Sequence, residues 1–392
     1  MIKEVFFFTE MGYTGYSQKV AAEYGYTNLM FPNENFNPEK AAELYSMYFD
    51  ELQHCSESGF DGIMINEHHN NPLSLMPSIN VIGAALAKLT KQGKIVFLGN
   101  VLPIHENPVR VAEEIAMIDM ISGGRVICGF VRGIGQESIA TNTNPVFNRE
   151  RFAEAHDLII KTWTTPGPFR WEGKHYHLRV VNPWVLPLQK PHPPVWIPGV
   201  VSPESVEFAA RHGYPYIALA PPLDLIGDVY DLYNKVAEEE GYTPTEQNRG
   251  YAVRVVVADS DERAYEEGKN FFWQLGTSFG VAPRHWQSPP GYLSRAASQG
   301  SRQQRRETTR NVTPGGPSLS YEEAHATYQI VTGNPDTVIK KLKVIADVVN
   351  PGNLVLWGRE GPMSHQTAMR CIDLLTQEVI PAMKEYQPQP ER

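Results

Sequence analysis

Eight short runs of apolar, β-branched and aromatic residues recur along the chain, and helix-like stretches separate them. The runs are EVFFF, GIMIN, KIVFLGN, GRVICGF, PVWIPG, YIALA, GYAVRVVVA and GNLVLWG. Strands that alternate with helices predict a parallel sheet with crossover connections, and eight such units predict a (β/α)8 barrel. We therefore expect an α/β protein with a single barrel domain over residues 1–392. In this fold the active site lies at the carboxyl ends of the strands.

Two segments interrupt this alternation and are predicted to be insertions. Residues 165–194 contain FRWEGKHYHL, in which Glu-Gly between two alternating runs predicts a hairpin turn. Residues 276–325 are rich in Gly, Pro, Ser, Gln and Arg and show little periodicity, as lids and disordered segments do. We interpret this second segment as a mobile lid. Its basic run RQQRRETTR either meets an anionic ligand or lies in solvent.

Composition excludes several classes of partner. Of the 392 residues, 42% are hydrophobic and 20% are charged, so the chain can bury a large core. A formal net charge of −9 gives no general basis for binding nucleic acid. Three scattered cysteines are too few for a disulfide framework or a closed zinc site. The N-terminus lacks a signal-peptide pattern, and no apolar run reaches the roughly 18 residues of a membrane span, so we predict a cytoplasmic protein.

The stretch DGIMINEHHNN places a carboxylate and two histidines directly after the second strand. Polar residues often cap a strand where it meets solvent, and that role alone would explain them. The barrel rule instead puts Glu67, His68 and His69 on the catalytic face. We predict no metal site from this cluster, because adjacent histidines on an extended chain point to opposite faces.

Further motifs occur at the ends of later strands, in a fixed order. They are VLPIHENPVRVAEEIAMIDMISGGRVICGFVRG, VWIPGVVSPESVEFAARHGYP and VTGNPDTVIKKL, and they follow INEHHNN. This ordered set resembles the bacterial luciferase-like flavin monooxygenases, and the resemblance extends over nearly the whole chain. A luciferase-like barrel is what it implies for the fold.

The resemblance implies a two-component enzyme that depends on FMNH2. Reduced FMN would come from a separate NAD(P)H:flavin reductase, since GFVRGIGQ lacks the spacing of a dinucleotide-binding loop. With O2 as co-substrate, such enzymes form a C4a-peroxyflavin that oxygenates a small organic substrate. Hydroxylation, Baeyer–Villiger insertion and aldehyde oxidation all remain open.

The resemblance also implies roles for individual residues. His68 corresponds to the family's proposed base, with Glu67 orienting a histidine and His69 beside it. The backbone near Gly99 is expected to approach the flavin ring, with a cis peptide bond next to that glycine. The implied cofactor-binding residues are Gly99, Asn100, Arg132, one of Arg149 and Arg151, Val201, Ser202 and Ser205.

Physical chemistry supports a phosphate site at the serines and arginines. Ser202 and Ser205 begin the helix after the fifth strand, where free N–H groups and the helix dipole favour an anion. Either serine could instead serve only as the helix N-cap. The planar guanidinium of Arg132 suits paired bonds to phosphate oxygens, although a surface ion pair would also explain an arginine there.

Some features depart from the luciferases or leave the substrate open. Val131 stands where luciferases carry a reactive cysteine, and Cys128 lies earlier on the same strand, which puts light emission in doubt. Four tryptophans near strand ends or in the predicted lid favour an apolar or aromatic substrate, or simply pack: Trp196, Trp273, Trp286 and Trp357.

Two alternative functions keep the same fold. One is hydride transfer from a deazaflavin, and the other is a flavin-binding protein without catalysis. By the same resemblance we expect a homodimer formed through the helices that contain INVIGAALAKLT and EEIAMIDMI, although core packing explains their apolar residues as well.

Overall fold

Eight parallel strands close into a barrel in a computed structural model that describes residues 1–271, 284–293 and 320–389. The strands of the described chain are β1 (Glu4–Thr9), β2 (Gly62–Ile65), β3 (Lys94–Phe97), β4 (Asn100–Val101), β5 (Val126–Val131), β6 (Phe169–Glu172), β7 (His177–Val181), β8 (Val195–Gly199), β9 (Tyr216–Leu219), β10 (Arg249–Val257), β11 (Ile330–Gly333) and β12 (Asn353–Arg359). The barrel order is β1, β2, β3, β5, β8, β9, β10 and β12, and β12 closes it beside β1. The predicted (β/α)8 fold is confirmed.

Helices cover the outside of this barrel. In the described ranges they are α1 (Gln18–Tyr24), α2 (Pro38–Ser58), α3 (Ile79–Leu89), α4 (Pro108–Ser122), α5 (Gly135–Ala140), α6 (Asn148–Thr164), α7 (Pro203–Arg211), α8 (Ile226–Glu239), α9 (Asp261–Phe271), α10 (Arg284–Gln287), α11 (Tyr321–Ala326), α12 (Pro335–Val349), α13 (His365–Leu374) and α14 (Ile380–Glu385). None of them is both long and apolar enough to cross a membrane.

Local sequence sets where the main helices begin. Proline opens α2, α4 and α12, where its missing N–H costs no helical hydrogen bond. An asparagine precedes each proline, and the side chains of Asn37, Asn107 and Asn334 accept a backbone N–H from the first turn. These caps fix the helix starts.

The eight strands of the barrel are largely apolar because both of their faces are buried. Alternate residues of β1 divide between two cores, since Phe6 and Phe8 point into the barrel while Phe7 packs under the outer helices. Trp196 and Trp357 also lie inside the barrel, where their rings contact Phe6 and Phe8 at centroid distances of 5.2 and 4.8 Å. These two tryptophans are buried packing residues in the barrel core.

Strand β11 was not predicted. It pairs with the carboxyl-terminal part of β10, from Arg254 to Val257. The preceding part of β10 pairs with β9 and β12. Within residues 165–194, β6 and β7 form a separate antiparallel pair. Most of the predicted lid falls outside the described residues. Trp273, which lies just before the lid, falls outside them too.

Candidate active site

Glu137 brings the two adjacent histidines together. His68 Nδ1 lies 3.0 Å from one of its carboxylate oxygens, and His69 Nδ1 lies 2.6 Å from the other. The prediction that these histidines point to opposite faces is therefore wrong. Strand β2 ends at Ile65, so the histidines lie beyond the segment to which the alternation of a strand applies.

A second buried carboxylate contacts His68 from the end of β1. Nε2 of His68 lies 3.4 Å from Oε2 of Glu10, which also accepts a hydrogen bond from the amide of Asn66. Glu10 and Glu137 are 5% and 1% exposed. Each ring nitrogen of His68 therefore faces its own buried carboxylate.

These carboxylates control the charge of His68. Burial alone would lower its pKa, but Glu10 and Glu137 outweigh burial and raise the pKa to about 10. Burial would also raise the pKa of Glu137, yet the hydrogen bonds from His68 and His69 lower it. At neutral pH the ring is an imidazolium with both nitrogens donating, which suits His68 to give a proton or hydrogen bond rather than to take one.

Glu67 has a different position from its histidine neighbours. Its Oε2 accepts the backbone N–H of Ile79 at the start of α3, at 3.1 Å, and its Oε1 has no partner among the described residues. Burial raises the pKa of Glu67 to about 7. Its contact is thus with the helix start, and no hydrogen bond joins it to His68 or His69 in the described chain.

A pocket of about 120 Å³ lies between the end of β5 and the start of α7. Its polar lining consists of Arg132, Arg149, Glu204 and Ser205. The Nε atoms of both arginines are buried without a hydrogen-bond partner in the described chain. Burial, and then the charge of Arg132, lower the pKa of Arg149. Two guanidinium groups that converge on one pocket make a strong anion site.

Protein groups occupy part of this pocket. Nη2 of Arg149 lies 3.4 Å from a carboxylate oxygen of Glu204, too poorly aligned for a hydrogen bond. The guanidinium of Arg132 stacks 4.4 Å from the ring centre of Tyr292 and donates to its carbonyl oxygen. Tyr292 belongs to the segment predicted as a lid, so the described part of that segment reaches the pocket.

The remaining residues implied for phosphate binding are less close to the pocket. Arg151 donates to the carbonyls of Pro103 and His105 at 2.8 and 3.0 Å, which directs its guanidinium elsewhere. Ser202 is the N-cap residue of α7 but caps it with no side-chain bond, and its hydroxyl donates instead to Glu204. Val201 packs against the outer core and is absent from the pocket lining.

Gly99 and Asn100 lie where β3 gives way to β4. A Cβ on Gly99 would lie 2.5 Å from a methyl carbon of Val131, and its φ of +159° also disfavours a side chain. The side chain of Asn100 is fully buried, and both of its polar atoms lack a partner among the described residues. The expected cis bond beside Gly99 is absent, because the cis bonds in the described ranges both precede proline.

Sequence reasoning missed four charged residues at the carboxyl ends of the strands. Glu10 and Glu137 hold His68, while Arg254 and Glu360 lie buried on β10 and just beyond β12. The one available signal was a charged residue placed within or directly after an apolar strand run. That signal was strongest for Arg254, which interrupts AVRVVV.

Sequence comparison finds several relatives of this chain. An uncharacterized protein, y4wF of Sinorhizobium fredii, is 31% identical over 216 residues, which is 54% of this chain and 61% of that protein. The 2,5-diketocamphane 1,2-monooxygenase 2 of Pseudomonas putida is 21% identical over 89% of this chain and 97% of its own length. The oxygenase component of a flavin-dependent trigonelline monooxygenase from Acinetobacter baylyi is 28% identical, over 44% of this chain and 47% of its own.

Solved structures show the same fold at low sequence identity. The oxygenating constituent of 3,6-diketocamphane monooxygenase from Pseudomonas putida, in complex with FMN, is 19% identical with a TM-score of 0.70, over 97% of this chain and 98% of its own. An F420-dependent secondary alcohol dehydrogenase is 16% identical with a TM-score of 0.69, over 97% and 99% of the two chains. The model of the luciferase-like monooxygenases matches residues 21–349, more than half of the sequence, and the chain therefore belongs to that family.

Proposed function

We propose that this chain is the oxygenase of a two-component system. It uses reduced FMN, delivered by a separate NAD(P)H:flavin reductase, together with O2 to oxygenate a small organic substrate. The observation that carries the proposal is the pair Arg132 and Arg149, which line the pocket at the start of α7. The charged His68 lies at the carboxyl ends of the strands, which we call the barrel mouth. The relative from Acinetobacter baylyi, named an oxygenase component, supports the division into two proteins.

The unsatisfied groups of the described chain fit FMN. Arg132 and Arg149 have donors without partners at a pocket that Ser205 also lines, and a phosphate supplies the acceptors they lack. The amide of Asn100, whose polar atoms lack partners in the described chain, suits a flat, hydrogen-bonding ring. Bound reduced flavin supplies the electrons that activate oxygen.

The side chains at the barrel mouth determine what the protein contributes to the reaction besides binding the flavin. His68, held charged by Glu10 and Glu137, has a proton to give. Its Nε2–H, which lies 3.4 Å from Glu10, would turn from that carboxylate to donate to an oxygen-bearing group. The aromatic and aliphatic interior below it excludes water, which protects a reactive oxidant from discharge.

Rapid mixing tests this proposal. Protein with reduced FMN, mixed with oxygenated buffer, should reoxidise flavin at least about tenfold more slowly than free FMN, because a hydrogen bond from a charged donor, worth about 1.5–3 kcal/mol, slows loss of the bound oxygen. The His68→Gln protein should release hydrogen peroxide and lose the delay. His54→Gln is the matched control, since His54 pairs with Asp373 on the outer helices.

Three outcomes would reject the proposal. If the unaltered protein reoxidises flavin as fast as free FMN, oxygen is not held at the site. If it instead accepts hydride from a reduced deazaflavin, the relation to the F420-dependent dehydrogenase extends to function. Binding of FMN with neither activity would leave a flavin carrier.

We also propose that the chain forms a homodimer through α3 and α4. These helices expose apolar side chains to solvent: Val81, Leu89, Met117, Met120 and Ile121. An apolar patch of this kind is typical of a protein interface. Sedimentation velocity should show a dimer that becomes monomeric when Met117 and Ile121 are both replaced by glutamate. A monomeric unaltered protein would contradict this.

A further inference from the structure

Arg254 is a buried cation inside the barrel. Along β10 the residues Ala252, Arg254 and Val256 alternate with outward-facing ones, and the first and third belong to the barrel's interior core. Arg254 is 7% exposed, and its guanidinium carbon lies 4.2 Å from the ring centre of Trp357. A charge in this position needs compensation, because removing it from water is costly.

No described residue provides that compensation through contact. The Nε atom of Arg254 has no hydrogen-bond partner, and none of its nitrogens forms an ion pair or hydrogen bond in the described part of the chain. Burial lowers its pKa to about 10, which leaves it charged at neutral pH. The contact with Trp357 is a stacking interaction and supplies no acceptor.

The two nearest carboxyl groups have other roles. Glu10 is engaged by His68 and Asn66. Glu360 is fully buried, and its Oε2 accepts the indole N–H of Trp357 at 2.9 Å, while its Oε1 has no partner in the described ranges. Burial, and then the charge of Glu10, raise the pKa of Glu360 well above its usual range. Glu360 therefore forms no ion pair with Arg254 in the described chain.

The other charged side chains at this end of the barrel have contacts of their own. Glu10 and Glu137 lie against His68 and His69, and Glu67 accepts the backbone N–H of Ile79. The guanidinium of Arg254 meets no acceptor among the described residues, and the carboxyl groups of Glu360 and Glu10 act on it without forming an ion pair.

We propose that Arg254 binds a carboxylate or sulfonate group of the substrate, so that the substrate is an organic acid. The planar guanidinium offers paired bonds to such a group, and apolar side chains of the barrel interior flank it along β10. This inference rests on the proposed function and sharpens it. It replaces the expectation of a purely apolar or aromatic substrate.

Equilibrium binding tests the inference without turnover. Phenylacetate and octanoate are titrated calorimetrically into protein loaded with oxidised FMN, and 2-phenylethanol and octanol serve as neutral probes of the same shape. The unaltered protein should bind each acid more tightly than its alcohol. Arg254→Met should weaken acid binding by about tenfold or more, since a hydrogen bond to a charged group is worth about 1.5–3 kcal/mol, and should leave alcohol binding unchanged.

Two further variants separate charge from packing. Arg249→Met is the matched control, because Arg249 lies on the same strand and stacks 5.6 Å from the ring of Tyr230, outside the mouth. It should bind both acids normally. Arg254→Lys should recover part of the acid binding, and it also serves if the methionine variant fails to fold.

Three results would overturn the inference. The first is equal affinity of the unaltered protein for acids and alcohols, and the second is unchanged acid binding in Arg254→Met. The third is a tenfold loss of FMN binding in Arg254→Met with the acid preference intact, which would assign the arginine to the flavin. Because no oxygen chemistry is measured, a failure of the proposed oxygenase activity would leave the acid preference in place and be recognised separately.

Discussion

Replacing both Arg132 and Arg149 with methionine should weaken FMN binding by about a hundredfold or more. Each charge-assisted bond to phosphate contributes about 1.5–3 kcal/mol, and every 1.4 kcal/mol is a factor of ten in affinity. The two guanidinium groups line one pocket and both have buried donors without partners in the described chain. Quenching of flavin fluorescence on titration with protein measures the dissociation constant.

Riboflavin and Arg151 supply the controls for this experiment. Riboflavin lacks the phosphate, so its affinity should be nearly the same for the double variant and the unaltered protein. Arg151→Met should retain FMN binding, because its guanidinium donates to backbone carbonyls away from the pocket. An equal loss of FMN and riboflavin binding in the double variant would show that the arginines stabilise the fold rather than bind phosphate.

Raising the pH from about 6 to about 10 should reduce the free energy of unfolding by a few kcal/mol through His68. Its pKa is about 10 in the folded protein and near 6.5 in an unfolded chain. A group whose pKa rises on folding contributes fully below the unfolded value, and the contribution disappears as the pH passes the folded value. Urea denaturation across this pH range measures the effect.

Glu137 provides the comparison for this pH dependence. Its pKa is lowered on folding, so its own contribution is complete above its ordinary pKa and is lost as the pH falls. In Glu137→Gln the rise in the pKa of His68 is smaller, and the decline in stability between pH 6 and 10 should become shallower. A decline of the same size in both proteins would show that other groups cause it, since Glu67 and Cys371, with pKa values raised to about 7 and about 11, also lose their contributions within this pH range.

The barrel was predictable because each strand is buried on both faces. Phe6 and Phe7 lie in different cores, which makes the whole run apolar and easy to recognise. Strand β11 escaped prediction because it pairs beside a barrel that is already closed. Local length and composition give little information about such a supplementary strand.

The candidate site was only partly predictable, since much of it depends on tertiary contacts. His68 follows a strand and was expected on the catalytic face, but Glu137 is 69 residues away in sequence. Its role emerges only when β2 and the segment after β5 are brought together. Likewise, the choice between Arg149 and Arg151 depends on side-chain direction, which the sequence register left open.

Because Tyr292 stacks on Arg132, this tyrosine and the phosphate of an incoming cofactor would compete for the same guanidinium group. A phosphate that pairs with Arg132 takes the place of the carbonyl of Tyr292, whose hydroxyl also donates to the carbonyl of Gly133 at 2.8 Å. If Arg132 binds the flavin phosphate as proposed, arrival of the flavin and release of this tyrosine are one exchange, and excess inorganic phosphate alone should free the tyrosine.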